Sequence, residues 1–299
     1  MTKQTSGRFA EPSQPSRFGR RVVACVVLLL AVVGGWAATN SLAGEGYSDD
    51  KQSKPYTHLN FRNNPENFQF AVIGDRAGGH RPGVFRASVD LLNLLQPEFV
   101  MSVGDFIEGY ADDEETLKAQ WAEVDKLLER LQMPMFFTMG NHDVNLDPSQ
   151  KVWFDRVGVQ RGYHHFVYKD VLFMMLSTED PPKNDPSDDL AKKYEAFKAG
   201  KIDPAEAPKI IAELEAWAGQ VNISDAQVEY FKKALADNKD VRWTIAFMHT
   251  PCWTQEELRN FTKIEAMLQD RPYTVFAGHT HTYAYERRKG RDYVTMGAT

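Results

Sequence analysis

Cysteine is nearly absent from this chain: Cys25 and Cys252 are the only two among 299 residues. A disulfide framework is therefore excluded as the source of stability. Positive charge is also short, with 35 Lys and Arg against 41 Asp and Glu and a formal net charge of −6. No internal repeat is visible, so the chain is not a solenoid or an array. Long uncharged apolar runs are limited to one, VVACVVLLLAVVGGWAA at 22–38.

That run sits behind a basic flank, in which Lys3, Arg8, Arg17, Arg20 and Arg21 face only Glu11 and leave +4. A basic flank, an apolar run and a small-x-small site at Ser41–Ala43 read residues 1–43 as a secretory signal peptide. The same run is almost long enough to stay in the bilayer as an anchor. In either case the body is exported, periplasmic or extracellular, and in the second case it is membrane-attached through 22–38. The Arg20-Arg21 pair is only a weak twin-arginine signal. Taking +4 from −6 leaves −10 for residues 22–299. So acidic a body argues against a nucleic-acid-binding surface.

What remains has ordinary globular proportions, 42% hydrophobic and 25% charged. Residues 44–67 are polar with two prolines and read as a linker. From Phe68 to the end the pattern is α/β, which sets the domain at 68–299. FQFAVIGD, EFVMSVGD, MPMFFTMGNHD and VRWTIAFMHTP read as strands. GVFRASVDLLNLLQ, DDEETLKAQWAEVDKLLERLQ, AQVEYFKKALAD (capped by Ser224) and TQEELRNFTKIEAMLQ have helical spacing. YHHFVYKDVLFMMLSTED reads as a hairpin turning at Lys169-Asp170, and YTVFAGHTHTYAYERRKGRDYVTMGAT as a strand pair. Residues 181–219 interrupt this rhythm as a surface helical insertion, either a lid or a solvated decoration. The sequence stops at Thr299 directly after an apolar strand, which is expected of a truncated chain or of a strand at a sheet edge.

Five segments put metal-type ligands just after apolar strands: Gly74-Asp75, Gly104–Tyr110, Gly140–Asp143, Met248–Pro251 and Gly278–His281. Ligands of open α/β sheets gather at such strand ends. Three carboxylates (Asp75, Asp105, Asp143), the Asn141 amide and four histidines (His142, His249, His279, His281) arrive this way. Oxygen and imidazole donors without thiolates suit zinc, manganese or iron better than calcium. Any one segment alone also reads as a turn; five in order along one chain do not.

The order and wording of these segments resemble the calcineurin-like metallophosphoesterases, from about Phe68 onward. The resemblance implies a β-sandwich flanked by helices (αββα) with two divalent or trivalent transition metal ions (Fe, Mn or Zn) between strand ends. It matches Asp75, Asp105 and His281 to ligands of the first ion, with Asp105 bridging. Asn141, His249 and His279 match ligands of the second, and His142 the histidine near the leaving group. The implied reaction is hydrolysis of a phosphate ester, with an in-line attack by water activated between the two ions. His142, outside the ligand set, would assist the leaving oxygen, and Asp143 would orient His142 or cap the turn. Alternatives are a phosphodiesterase acting on lipid, nucleotide or glycan phosphates, and a degenerate metal- or phosphate-binding protein.

One position departs from the family pattern. A ligand histidine usually follows the first aspartate by two residues, and here that position is Ala77. His80 and Glu108 are the nearby substitutes, Glu108 standing where the purple acid phosphatase branch has a ligand tyrosine. Glu108 is expected to complete the first site, because it leaves the same strand end as Asp105 three residues later. Arg76, His80 and Arg81 are candidate substrate-binding residues around the first aspartate. Tyr110, Trp253, Tyr283 and Tyr285 flank ligand segments and suit either stacking on substrate or packing. Cys252 is expected to be a packed thiol, His164 and His165 structural, and His58 solvated.

Overall fold

β1 (Phe70–Ile73), β2 (Phe99–Ser102) and β3 (Met135–Phe136) form a parallel sheet in the order β1-β2-β3. The computed structural model that shows this describes residues 66–299, apart from 145–146, 160, 181–186, 219 and 255–257. The expected leader at 1–43 and nearly all of the 44–67 linker, with His58, lie outside the described residues. A second, six-stranded sheet has the order β10-β11-β9-β8-β5-β4. Its members are β4 (His164–Tyr168), β5 (Val171–Met175), β8 (Trp243–Phe247), β9 (Tyr273–Ala277), β10 (Ala284–Arg288) and β11 (Arg291–Thr295). β5, β8, β9 and β11 run parallel, and β4 and β10 close the two edges antiparallel. A short parallel pair joins β6 (Glu179–Asp180) to β7 (Asn222–Ile223).

The apolar runs are continuous because both faces of these strands are covered. In β5, Val171, Phe173 and Met175 enter the layer between the two sheets with Phe99, Met101 and Phe247. Leu172 and Met174 face the other way, onto α6 (Asp225–Asp237) and α7 (Arg259–Leu268) through Phe231 and Ile264. On the first sheet, Ile73 and Val100 pack against α1 (Val84–Leu95), α2 (Glu114–Leu128) and α3 (Asp147–Val157). Rings fill the inter-sheet layer, with Phe136 stacked on Phe166 at 4.3 Å and Phe99 edge-on to Phe173 at 5.2 Å. This is the expected sandwich flanked by helices. α4 (Asp188–Lys198) and α5 (Ala207–Ala218) form the helical insertion.

Local chemistry fixes the ends of these elements. Asp113, Ser187 and Ser224 cap α2, α4 and α6 by accepting from Thr116, Leu190 and Gln227 N–H groups. Lys169 and Asp170 turn the β4–β5 hairpin with φ of 45° and 61°, the left-handed pair such a tight turn demands. Three details differ from the sequence reading. The third strand is reduced to two residues, after which the chain loops into the ligand segment. The last strand pair is three strands, and β11 lies between β9 and β10 instead of at an edge. α3 was not expected, because in DPSQKVWFDRV a proline and scattered charges hide the apolar spacing.

Candidate metal centre

Every candidate ligand leaves the carboxyl end of a parallel strand, so the sheets deliver them to one end of the sandwich. Asp75 follows β1 and Asp105 follows β2; Asn141, His142 and Asp143 follow β3. His249 follows β8, and His279 and His281 follow β9. Two glycines allow the closest approaches. A Cβ on Gly140 would lie 2.1 Å from Asp105 Oδ1, and one on Gly278 would lie 2.2 Å from Asp75 Oδ1. Asp105, His279 and His281 take φ of 59°, 70° and 56°. Each such non-glycine conformation costs on the order of 1–3 kcal/mol and persists only where surrounding bonds impose it.

Asp143 supplies that constraint. Its buried carboxylate accepts from Asp105 N at 2.8 Å, Phe106 N at 2.8 Å and Gly140 N at 3.0 Å. Of the two roles the sequence leaves open for Asp143, orienting His142 as a catalytic partner or capping the turn, its hydrogen bonds match the second: it organises the turn that positions Asp105. Adjacent residues in a tight turn point apart, which is why Asp143 cannot serve its neighbour. His142 is oriented by backbone instead: its Nδ1 lies 2.8 Å from the Glu108 carbonyl, and its N–H donates to Asp105 Oδ1 at 2.9 Å.

Two groups of donor atoms result, Asp75 with Asp105 and His281, and Asp105 with His249 and His279. Within each, the ligand atoms all lie within 4.8 Å of one another, and Asp105 belongs to both. Asn141 Oδ1 joins the second, 2.9 Å from His249 Nε2 and 3.0 Å from His279 Nδ1. His249 Nε2 is also 3.1 Å from Asp105 Oδ2, and His281 Nε2 is 3.3 Å from Asp75 Oδ2. His249 Nδ1 is engaged by the Val103 carbonyl at 2.8 Å, which sets its proton there and aims the Nε2 lone pair into the group.

This donor set is suited to cations. Nitrogen, amide oxygen and carboxylate donors converge here, and Asp75 Oδ1 is buried without a hydrogen-bond partner. The electrostatics agree. Burial would push His249 down, but the Asp105 and Asp75 carboxylates and the Val103 carbonyl outweigh it and raise it to about 10. Without a metal, a proton supplies the positive charge the pocket demands. Burial, with the charge on His249, lowers His279 to about 4, and the bond to Asp75 raises His281. Burial opposes ionisation of Asp105 too, but the His249 and His142 charges win and hold it well below the carboxylate range.

Other expected site residues are placed differently. Glu108 joins neither group: its exposed carboxylate accepts from Gly78 N at 3.1 Å and His80 N at 3.3 Å. It thus ties down the glycine turn, where Gly78 lies so close to His281 that a Cβ would be 2.4 Å from Cε1. Ala77 is buried, its N–H on the Asp105 carbonyl at 2.9 Å. Arg76 is corrected from a phosphate grip to a structural residue, its guanidinium taken by the Phe106 carbonyl at 2.9 Å and by Glu123. Arg81 is exposed and donates to the Ala298 carbonyl, beside the site and open to solvent. Cys252 and Trp253 pack in the core, with Cys252 Sγ donating to the Thr250 carbonyl. Tyr283 and Tyr285 are 67% and 55% exposed. His165 Nδ1 pairs with the Tyr230 hydroxyl at 2.7 Å, as suits a structural residue. The backbone carbonyls of Val103 and Glu108 that orient His249 and His142 escaped the sequence reading, because any residue type can supply them.

Known proteins bear on this arrangement. A comparison with curated proteins gives no match. Among solved structures, a dimetal phosphatase from Danio rerio is similar at a TM-score of 0.54 and 13% identity, over 77% of this chain and 87% of that one. GAP50, described as the anchor in the inner membrane complex of Plasmodium, is similar at 0.50 and 15%, over 77% and 71%. At such identities the likeness is one of fold. The family model described as calcineurin-like phosphoesterase matches residues 68–283, well over half of the chain and every segment from Asp75 to His281. The chain therefore belongs to the calcineurin-like phosphoesterases, metal-dependent hydrolases of phosphoric esters.

Proposed function

We propose that this chain is an exported hydrolase of phosphate esters with a dinuclear centre. Asp75, Asp105 and His281 hold one ion, and Asp105, Asn141, His249 and His279 hold the other. The observation that carries the reading is the pair of donor groups sharing Asp105. Bound ions of this kind lower the pKa of water and neutralise charge on the phosphoryl oxygens. The chain's own part is to fix geometry and move a proton. Asp143 holds the Asp105 turn, and the Glu108 carbonyl holds His142 with Nε2 directed away from that bond. From there His142 can give a proton to the leaving oxygen. The degenerate-binding alternative is disfavoured because only one family ligand position, Ala77, lacks a donor. Iron, manganese and zinc all suit the donors.

Export rests on the leader sequence. No described helix is long and apolar enough to cross a membrane, and 22–38 lies outside the described residues. A periplasmic or extracellular location, with or without attachment through 22–38, is part of the proposal and is read by fractionating cells that express the full chain.

Chelation should abolish hydrolysis of an activated aryl phosphate or its diester. Add-back of Mn²⁺, Zn²⁺ or Fe²⁺ should restore it, and unchanged activity in metal-free protein would overturn the reading.

A further inference from the structure

The helical insertion does not stand clear of the site. It leaves the domain at β6 and returns at β7, and those strands pair with Glu179 opposite Asn222. Both feet are thereby pinned beside the loop of His249, where Thr250 N donates to Thr178 Oγ1 at 3.4 Å. Lys193 of α4 bridges to Glu213 of α5 at 2.7 Å, which holds the two helices together. From this base Tyr194 on α4 and Trp217 on α5 reach Tyr110, with ring centroids at 6.2 Å and 6.4 Å. Tyr110 in turn stands edge-on to His142 at 5.0 Å, and its hydroxyl accepts from Asn141 Nδ2 at 3.4 Å.

Tyr110 is held there at a conformational cost. Its φ is 49°, a region a tyrosine adopts only under constraint, and Gly109 before it has φ of 62°. Gln120 on α2 clamps that glycine, accepting from Gly109 N at 2.9 Å. A constrained aromatic ring beside the proton-donating histidine, backed by two more rings from an inserted element, is a surface for a flat apolar group.

We propose that Tyr110, Tyr194 and Trp217 form the wall of the leaving-group subsite, and that the preferred esters carry an aromatic ring on the departing alcohol. The inference rests on the hydrolase reading above for the place of the leaving group. Nucleoside bases and simple aryl alcohols share the required chemistry.

The test compares benzyl phosphate with cyclohexylmethyl phosphate, or their methyl diesters, because the two alcohols are alike in size and acidity. Adenosine 5′-phosphate is the nucleoside arm. Tyr194→Ala and Trp217→Ala should each lower kcat/KM for the aromatic ester about tenfold, the saturated ester changing less than about twofold. Trp217→Phe should recover most of the loss. A parallel loss on the nucleotide points to bases, and a loss confined to the benzyl ester points to simple aryl alcohols. Equal losses on aromatic and saturated esters, or none, would overturn the proposal. Binding of benzylphosphonate and cyclohexylmethylphosphonate to metal-loaded protein separates the two readings. An aromatic preference that falls in both variants upholds the wall even without turnover. Turnover without that preference upholds the hydrolase and rejects the wall.

Discussion

At the scale of single residues, chemistry and support are divided between neighbours. His142 and Asp143 are adjacent, yet one faces the open site and the other holds four backbone N–H groups, the fourth being Ile107 N at 3.4 Å. His142→Ala should lower turnover by about 10²–10⁴-fold, less for substrates with good leaving groups, while bound metal stays nearly unchanged. Metal loss on the scale of Asn141→Ala would refute the separation of roles. Glu108 shows the limit of reading a ligand from sequence. Its spacing from Asp105 made it the expected substitute for the missing histidine, but its carboxylate receives the Gly78 and His80 N–H groups. Glu108→Gln, which keeps an oxygen acceptor for the turn, should therefore retain both metals and most activity. Glu108→Ala frees the glycine turn and should raise KM with metal still bound, and His80→Ala should leave both metals bound because the turn is held through its backbone N–H. Loss of one metal equivalent in Glu108→Gln would return the carboxylate to the ligand set.

At the scale of elements, what was legible depended on where the signal lies. Strand ends carrying Asp, Asn or His beside glycine announced themselves, because a ligand must be a particular side chain and its glycine must lack one. Gly140 and Gly278 make the same point as an experiment, since each admits one carboxylate against the backbone. Gly140→Ala should displace the shared Asp105 and deplete both metal groups. Gly278→Ala should displace Asp75 foremost and also press on Val103 Cγ2, 2.7 Å from the added Cβ, so the first group should lose more metal than the second. Metal content by atomic emission distinguishes these outcomes, and equal depletion in the two variants would show that the crowding is relieved elsewhere. The helix α3 and the reduction of β3 to two residues were illegible for the opposite reason. Val152 and Trp153 bury α3 in the core of the first sheet although no periodic pattern announces the helix, and β3 gives way after Phe136 inside a run that stays apolar through Phe137. The insertion was legible as helical and surface-lying, but nothing in its spacing tied Tyr194 and Trp217 to Tyr110, some 80 and 100 residues before them.

At the scale of the whole domain, the donors come from two different sheets. Asp75, Asp105 and Asn141 follow strands of the three-stranded sheet, and His249, His279 and His281 follow strands of the six-stranded one. Each donor group therefore bridges the sandwich at one end, where the inter-sheet aromatic layer gives way to polar loops. Ions bound there should clamp the two sheets, and binding to the folded state alone stabilises by about 2.7 kcal/mol at a hundredfold excess over Kd. The pH dependence has a definite sign. His249 is raised from 6.5 to about 10 in the metal-free protein, through its carboxylate neighbours against the effect of burial. A raised histidine stabilises the fold fully below its unfolded value of 6.5, and that contribution is lost as pH climbs through about 10. Over the same window protons compete less with metal for Nε2, so metal affinity grows. Both express one linkage, the proton that leaves His249 when metal binds: the gap in Tm between metal-loaded and chelated protein should widen from about pH 6.5 to about pH 8.5. Differential scanning calorimetry at matched metal activity reads the gap directly. A gap that narrows over that range, or no gap while two equivalents of metal remain bound, would show that the ions do not clamp the sheets.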